Sequence, residues 1–473
     1  MQLKHLIEHN KAINLVAACA KANQIPCYAI GGFVRDLLLD RPCKDLDFVS
    51  IGHNSGIELA TAVSQKLGLE NELTVYKNFG TALIKFDDFH LEFVGARKES
   101  YRAESRKPIV EDGTLEEDQK RRDFTINALS ISLNVTDFGE LYDPFGGVED
   151  LKKKIIRTPL EPEITYSDDP LRMMRAIRFA SQLGFDIEHE SFLAIKKKAE
   201  RISIISQERI TEELNKIILS SKPSYGFNFL FHSGLLEKIF PEMVALHGVE
   251  VIDGKAHKDN FYHTLKVLDN VAEKSDDLWV RWAAILHDIA KPNTKRFHPK
   301  AGWTFHGHED KGARMVPHIF RRLKLPMGEP MRFVQNLVKL HLRPIALTKE
   351  TITDSAVRRL LFEAGNDIDG LMILCRADIT SKDGNKVKKY LQNFDLVEKK
   401  MNEVEANDQL RNWQPACTGE DIMKVFDLKP GKDVGFMKNS LREAILDGKV
   451  KNEFEESMAF LKTLREKMNE QIE

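Results

Sequence analysis

The sequence predicts an α+β protein, with a mixed head over residues 1–150 and helices from there to residue 473. Three observations predict it. Short apolar runs of strand length, CYAI at 27–30, TALIKF at 81–86 and HLEFV at 90–94, alternate with helical patterns in the head. After about residue 168 such runs cease, and apolar residues recur at helical spacing. Polar breaks near 221–226, 252–260 and 414–419 punctuate that helical stretch.

Taken in order, Leu3, Leu6, Ile7, Ile13 and Val16 predict a helix over residues 1–20. Cys27–Ile30 reads as a strand ending at Gly31-Gly32, and Val34–Leu39 as the helix that follows. Leu46–Val49 is a second strand and Ser55–Leu67 a second helix. TALIKF and HLEFV form a hairpin across Asp87-Asp88. Residues 97–122 are rich in Arg, Lys and Glu without periodicity, which predicts a mobile loop, and Ala128–Leu133 is a further strand. Ser167-Asp168-Asp169-Pro170 carries capping residues before a first-turn proline, the signature of a helix start.

The 473 residues suffice for roughly three domains. Hydrophobic residues at 42% can fill real cores, so wholesale disorder is excluded. No run approaches the ~18 apolar residues of a membrane span, and the N-terminus lacks a signal-peptide pattern, so no membrane partner is expected. Five scattered cysteines (19, 27, 43, 375, 417) without CxxC spacing predict neither a disulfide framework nor a zinc ribbon and fit a reducing cytoplasm. A net charge of −2 means that any polyanion must be held by local patches. Eight of the fifteen histidines crowd into residues 257–341.

Asp45 and Asp47 are two apart on a predicted strand and therefore project from one face. Paired carboxylates suit Mg2+, a hard ion that prefers oxygen ligands. Two such ions would activate a 3′-hydroxyl and stabilise departing pyrophosphate. Gly31-Gly32 lets backbone N–H groups approach phosphates, and Arg35 adds a charged fork. No G-x-x-x-x-G-K-[ST] or G-x-G-x-x-G is present, which removes support for P-loop and Rossmann chemistry.

Together GGFVRDLLL…KDLDFV, RRDFTINAL at 121–129, YDPFGG at 142–147 and DDPLRMMRAIRFA from Asp168 resemble class II tRNA nucleotidyltransferases, the CCA-adding enzymes, and their bacterial poly(A) polymerase relatives. The order holds over residues 25–245, including Ser206–Ile210. The resemblance implies a polymerase-β-like nucleotidyltransferase head (1–150), a helical neck (151–245), an HD body (246–385) and a helical tail (386–473). It implies CTP, ATP and tRNA as partners. It also implies that Arg121 and Arg122 hold the triphosphate, and that Arg175 and Arg178 lie near the nucleotide. Arg97, Lys98, Arg102, Arg106 and Lys107 would form a loop that repositions between C and A addition.

Asp169 and Arg172 fall where this family reads the base, with Asp168 standing where Glu is usual. An ionised aspartate accepts and an arginine donates. Cytosine and adenine both offer an amino donor beside a ring-nitrogen acceptor, which such a pair complements. Uracil and guanine offer the reverse and leave it mismatched.

In the body, His263, His287-Asp288 and Asp378 occur at HD-domain spacing, and His308 and His341 supply two further ligands. This set implies a divalent metal (Mg, Mn, Ni or Fe) and a possible phosphohydrolase centre, with one ion or two left open. His257, His298 and His318 read as surface residues, and His306 as an alternative to His308. Poly(A) synthesis or partial CC or A addition remain alternatives. A further alternative, from a different class, is an HD phosphohydrolase whose head merely binds RNA.

Overall fold

A computed structural model describes residues 1–77, 80–102, 105–347, 353–381, 383–408 and 414–470. The chain divides into two compact units, Met1–Pro241 and Glu242–Glu473.

The first unit is built on a seven-stranded sheet. Its strands are β1 (Cys27–Ile30), β2 (Asp45–Ser50), β3 (Thr74–Tyr76), β4 (Thr81–Phe86), β5 (Phe89–Gly95), and beyond a separate hairpin, β8 (Ser130–Ser132) and β9 (Leu141–Tyr142). The hairpin pairs β6 (Arg97–Arg102) with β7 (Ser105–Asp112). The sheet order is β3-β4-β5-β2-β1-β8-β9, with β2 and β5 parallel and the other neighbours antiparallel.

Strand alternation explains how β2 can be both core and site. Leu46 and Phe48 are fully buried, with Phe48 stacked on Phe93 of β5 at 5.2 Å, while Asp45 and Asp47 leave the opposite face. The helix Ser55–Leu67 makes the crossover between parallel strands that a two-residue turn cannot. It sits so close to β5 that a Cβ on Gly56 would stand 2.6 Å from the Val94 carbonyl carbon. The β4–β5 hairpin turns at Asp87, as the polar pair predicts.

Three expectations change in this unit. The N-terminal helix is two helices, Lys4–Ile7 and Lys11–Ala22, because Asn10 accepts from Ala12 and Ile13 N–H groups and restarts the chain. Residues 97–122 are not an irregular loop. They hold the β6–β7 hairpin and a helix Leu115–Lys120, begun by a reciprocal cap between Thr114 and Glu117. The side chains of Arg102, Arg106 and Lys107 lie outside the described residues. The Ser-Asp-Asp-Pro segment ends one helix, Pro162–Asp168, before the next, Leu171–Leu183, begins. Asp169 Oδ1 accepts from Leu171 N at 3.2 Å and turns the chain between them.

Strands also persist beyond residue 168. A parallel pair joins β10 (Ile155–Ile156) to β11 (Asp186–Ile187). In the second unit, β12 (Val251–Ile252) pairs with β13 (Lys255–Ala256), and β14 (Arg296–His298) with β15 (Gly302–Thr304). Two-residue strands carry too little alternation to register as a pattern. The other regular elements described in that unit are helices. Asp259 and Asp277 cap the helices Asn260–Ala272 and Leu278–Leu286, which pack with His308–Arg322, Glu329–Leu340 and Ile368–Ala377 around buried Trp282 and Phe320. Further helices run from Gly384 to Glu470, one of them capped reciprocally by Thr418 and Asp421. No described helix is long and apolar enough to cross a membrane.

Candidate active site

In the first unit β1 ends at Gly31, whose φ of +81° turns the chain into the helix Gly32–Leu38. An added Cβ there would stand 3.0 Å from Arg122 Nη1 and 3.1 Å from Asp47 Oδ2, so glycine keeps this corner open. The corner borders a cleft of about 290 Å³. Asp47, Glu92, Arg97, Arg121, Arg122, Asp123, Asp169, Arg172 and Arg175 line it. A neighbouring cleft of about 390 Å³ is lined by Asp45 together with Asp47 and Glu92. Asp47 and Glu92 therefore line both clefts, and Asp45 the second alone.

Glu92 escapes sequence reasoning. It is beside Asp47 because β5 runs parallel to β2 in that register. A glutamate in the alternating run HLEFV was the available signal. Burial pushes the Asp47 carboxyl up to about 6; Arg122 opposes this, and Glu92 and Asp45 add to it. Glu92 is raised as well, by burial first. Like charges this close to one another fit a hard divalent cation bound by oxygen. Asp45 is largely exposed, 3.3 Å from His90 Nδ1.

The arginines divide into two groups. Arg121 and Arg122 share the fully buried carboxylate of Asp118, with Nε distances of 3.0 and 3.3 Å, and still face the cleft. Arg172 donates to the Arg121 carbonyl at 2.6 Å, which ties the helix Leu171–Leu183 to that segment. Arg175 donates to Asp123 at 2.7 Å. Burial opposes ionisation of Asp123, yet Arg175 and the Asn127 amide hold its pKa at about 2. Asp169 lines the same cleft as Arg172.

Arg35 and Arg178 are placed differently. The Arg35 guanidinium donates to both Asp36 carboxylate oxygens at 2.9 and 2.8 Å and to Asn127 at 2.8 Å, so the fork expected to face phosphate is engaged with protein. Arg178 is paired at 3.0 Å with buried Glu213. With Arg175, both lie against the Phe179 ring, at 4.1 to 5.5 Å from its centroid. Arg175 also lines the cleft, whereas Arg35 and Arg178 are not among its lining residues. Gly32 lies over Arg35, an added Cβ standing 3.5 Å from its Nη2.

The second unit gathers the six expected ligands. His263, His287 and Asp378 form one group and Asp288, His308 and His341 another, each with ligand atoms within 4.8 Å of one another. Asp288 links them, with Oδ2 3.2 Å from His287 Nε2 and Oδ1 3.3 Å from His308 Nε2. His287, His308 and His341 each direct Nδ1 at the backbone carbonyl three residues earlier, at 2.7 Å. That contact turns every Nε2 inward, the arrangement of a ligating imidazole. The His287 Nε2 is buried and aligned for a hydrogen bond with no neighbour, which fits a metal ion. Burial works against charge on His287, but Asp288 and Asp378 outweigh it and push its pKa up to about 10. Burial and the His287 charge push His341 down to about 4. Imidazoles with carboxylates suit transition-metal ions, and the carboxylates accept magnesium too.

His298, His306 and His318 are exposed. His257 departs from expectation: it is half-buried in the wall of a pocket that reaches His263 and Asp378. Trp303, Phe305, Lys291 and Thr380 line that pocket as well, and their spacing offered no signal for it.

Comparison with known proteins follows this layout. Residues 27–157 match the Poly A polymerase head domain, 184–246 the "Probable RNA and SrmB- binding site of polymerase A", and 260–383 the HD domain. The Multifunctional CCA protein of Nitrosococcus oceani is 33% identical over 381 residues, 77% of this chain and 87% of that protein. The chain belongs to the class II CCA-adding/poly(A) polymerase family. Another relative in this family, the A-adding tRNA nucleotidyltransferase of Deinococcus radiodurans, is 31% identical over 344 residues, 71% of this chain and 76% of that protein. The solved Bacillus stearothermophilus CCA-adding enzyme in complex with CTP has the same fold, with a TM-score of 0.65, 23% identity and 98% of both chains covered. Within the family frame the protein is a tRNA nucleotidyltransferase-type enzyme whose head implies a divalent metal and whose HD cluster suggests a second metal site. Asp169, Arg172 and Arg175 fall between the matched head and RNA-binding segments.

Proposed function

We propose that this enzyme adds CCA to the 3′ end of tRNA without a template, from CTP and ATP. The observation that carries the reading is one cleft bordered by Asp47 and Glu92, by Arg121 and Arg122, and by Asp169 and Arg172. It offers carboxylates for metal, cations for triphosphate and a donor–acceptor pair for a base edge. Asp169 and Arg172 accept cytosine and adenine alike, because both present an amino group beside a ring nitrogen. Arg121 and Arg122 hold the triphosphate, and Asp118 orients both guanidinium groups. Arg175 is a positioning residue, held through Asp123. The 3′-oxygen of the RNA attacks the α-phosphorus, the bond to the bridging oxygen breaks, and pyrophosphate leaves. The hydroxyl proton passes to a carboxylate of the site. Asp45, Asp47 and Glu92 would hold the magnesium, which supplies positive charge to the attacking and leaving oxygens when bound. Positioning and charge stabilisation account for catalysis of this kind.

In the HD unit, the two ligand groups, linked by Asp288 of one lying against His287 of the other, favour a metal-dependent phosphohydrolase. Its six ligands would hold one or two divalent ions, which lower the pKa of bound water when present.

The test is incubation with tRNA lacking its 3′ end and each labelled nucleotide, singly and together, followed by sequencing of the product termini. Ordered C, C, A supports the proposal. Addition of A alone, of CC alone or of a long A tract overturns it in favour of the corresponding relative. Asp45→Ala abolishes addition and leaves metal-dependent phosphatase activity in place.

A further inference from the structure

Five side chains close a ring beside the cleft of the first unit. Arg35 Nη1 donates to Asn127 Oδ1 at 2.8 Å, and Asn127 Nδ2 donates to Asp123 Oδ1 at 3.0 Å. Asp123 Oδ2 accepts from Arg175 Nε at 2.7 Å. The guanidinium carbons of Arg35 and Arg175 lie 5.0 and 5.5 Å from the centre of the Phe179 ring, which completes the circuit. Arg35, Asp123, Asn127 and Phe179 are buried. Asp123 and Arg175 also line the cleft, and Asn127 does not.

Asparagine is what the middle of this ring requires. A guanidinium only donates and an ionised carboxylate only accepts, so a group between them must accept on one side and donate on the other. The Asn127 amide does both, and these neighbours leave it one orientation. Leucine there would strip both charges of a partner, and aspartate would set a second carboxylate against Asp123 with no donor between them. The ring joins three segments around the nucleotide site. Arg35 lies in the helix Gly32–Leu38, which begins at the Gly31 corner beside Asp47 and Arg122. Asp123 and Asn127 lie in the segment that follows Arg121 and Arg122. Arg175 and Phe179 share a face of the helix Leu171–Leu183 with Arg172. Phe124 meets Phe179 edge-on at 5.7 Å and packs the last two segments together.

We infer that Asn127 is a positioning residue for base discrimination, its amide setting the distance between the carboxylates Asp47 and Glu92 and the base-reading pair Asp169 and Arg172. This rests on the base-reading role given to that pair and deepens it. A nucleotide spans the cleft with its base at one end and its α-phosphorus at the other. A correctly read base speeds the reaction only when the two ends stand at the right spacing. Arg172 is held to the Arg121 carbonyl at 2.6 Å, a bond that fixes it to the middle segment and not to the helix at the Gly31 corner. Asn127 supplies the polar link from that segment to that helix, without touching the nucleotide.

The test measures addition by the full-length enzyme with each nucleotide supplied singly, to tRNA lacking CCA and to tRNA ending in CC. Discrimination is read as kcat/KM for CTP over UTP on the first and for ATP over GTP on the second. Each ratio is taken within one preparation, so the folded fraction cancels and a merely structural defect leaves it unchanged. Asn127→Leu and Asn127→Asp are each expected to lower both ratios about tenfold, with kcat for the correct nucleotide about tenfold lower and its KM within about twofold. Exchanging the two groups, Asn127→Asp with Asp123→Asn, restores the order of donors and acceptors. The carboxylate at 127 accepts from Arg35 and from the amide at 123, whose oxygen accepts from Arg175. The exchange is expected to bring both ratios within about threefold of wild type. Recovery is incomplete because the Phe124 N–H, which donates to Asp123 Oδ1 at 2.9 Å, loses that acceptor.

Phe179→Leu opens the ring on its other limb, removing both cation contacts while the hydrogen bonds stay in place, and is expected to lower both ratios about threefold. It carries the test if Asn127→Leu and Asn127→Asp do not fold. Unchanged ratios in the Asn127 variants, or in Phe179→Leu where those do not fold, overturn the inference. Equal loss of rate for correct and incorrect nucleotides overturns it too, as does a loss in Asn127→Asp that the exchange leaves uncorrected. A wild type that prefers neither CTP over UTP nor ATP over GTP overturns the base-reading role and the inference with it. A wild type that adds A alone overturns CCA synthesis, and the inference then stands or falls on the ATP over GTP ratio.

Discussion

Gly31→Ala separates the cost of a backbone conformation from the cost of crowding a site. Gly31 has φ +81°, and Gly68, which ends the helix Ser55–Leu67, has φ +66°. Alanine at either position costs about 1–2 kcal/mol of backbone strain. At Gly68 the new methyl meets nothing within 4 Å. At Gly31 it stands 3.0 Å from Arg122 Nη1 and 3.1 Å from Asp47 Oδ2, so both must yield by a few tenths of an ångström. A misplacement of about 1 Å at a reacting centre costs roughly 10²-fold in rate, so a third to a half of that predicts a loss of about tenfold. Thermal unfolding measures the strain, and single-turnover addition of labelled CTP to tRNA lacking its 3′ end measures the crowding. The two variants are expected to lose similar stability, with Gly31→Ala about tenfold slower than Gly68→Ala. Equal rates at equal stability would refute the placement of Asp47 and Arg122 at the reacting corner.

Glu92→Gln keeps the shape of the strand and removes a carboxylate beside Asp47. Its addition rate is expected to fall about tenfold or more with nucleotide binding nearly unchanged, measured as kcat against KM. Asp123→Asn removes a carboxylate that the fold lowers from 3.8 to about 2, a contribution of about 2 kcal/mol at neutral pH. Because the folded pKa is depressed, that contribution is present above the ordinary carboxylate range and fades as pH falls through about 2. The melting temperature of the variant should therefore lie several degrees below wild type at pH 7, with the gap narrowing below pH 4. At the HD centre, a metal must displace the proton that Asp288 and Asp378 hold on His287, whose pKa is about 10. Apparent affinity for Ni2+ or Mn2+ is expected to rise about tenfold per pH unit between 6 and 8, with about one proton released in calorimetry across buffers of different ionisation enthalpy. A pH-independent affinity would remove His287 from the ligand set.

Much of the architecture was legible because local periodicity reports it directly. The helix Ser55–Leu67 and the strand Thr81–Phe86 lie where their patterns predict. The β6–β7 hairpin was not legible, since its charged residues show no alternation against a core. The structure shows a reciprocal cap between Thr114 and Glu117 in this segment, a pair that the reading of residues 97–122 as a loop passed over.

Composition, periodicity and motif order were enough to establish the α+β head, the helices beyond it and the family. They also put Asp45 and Asp47 on one face, because side-chain direction along a strand is a local property. Which groups meet across space was decided by the tertiary structure. Glu92 joins Asp47 through a parallel register, Arg35 and Arg178 turn to Asp36 and Glu213, and His257 closes on Trp303. Each of these depends on how distant segments pack, and a single chain's pattern shows which face is apolar but not what will lie against it.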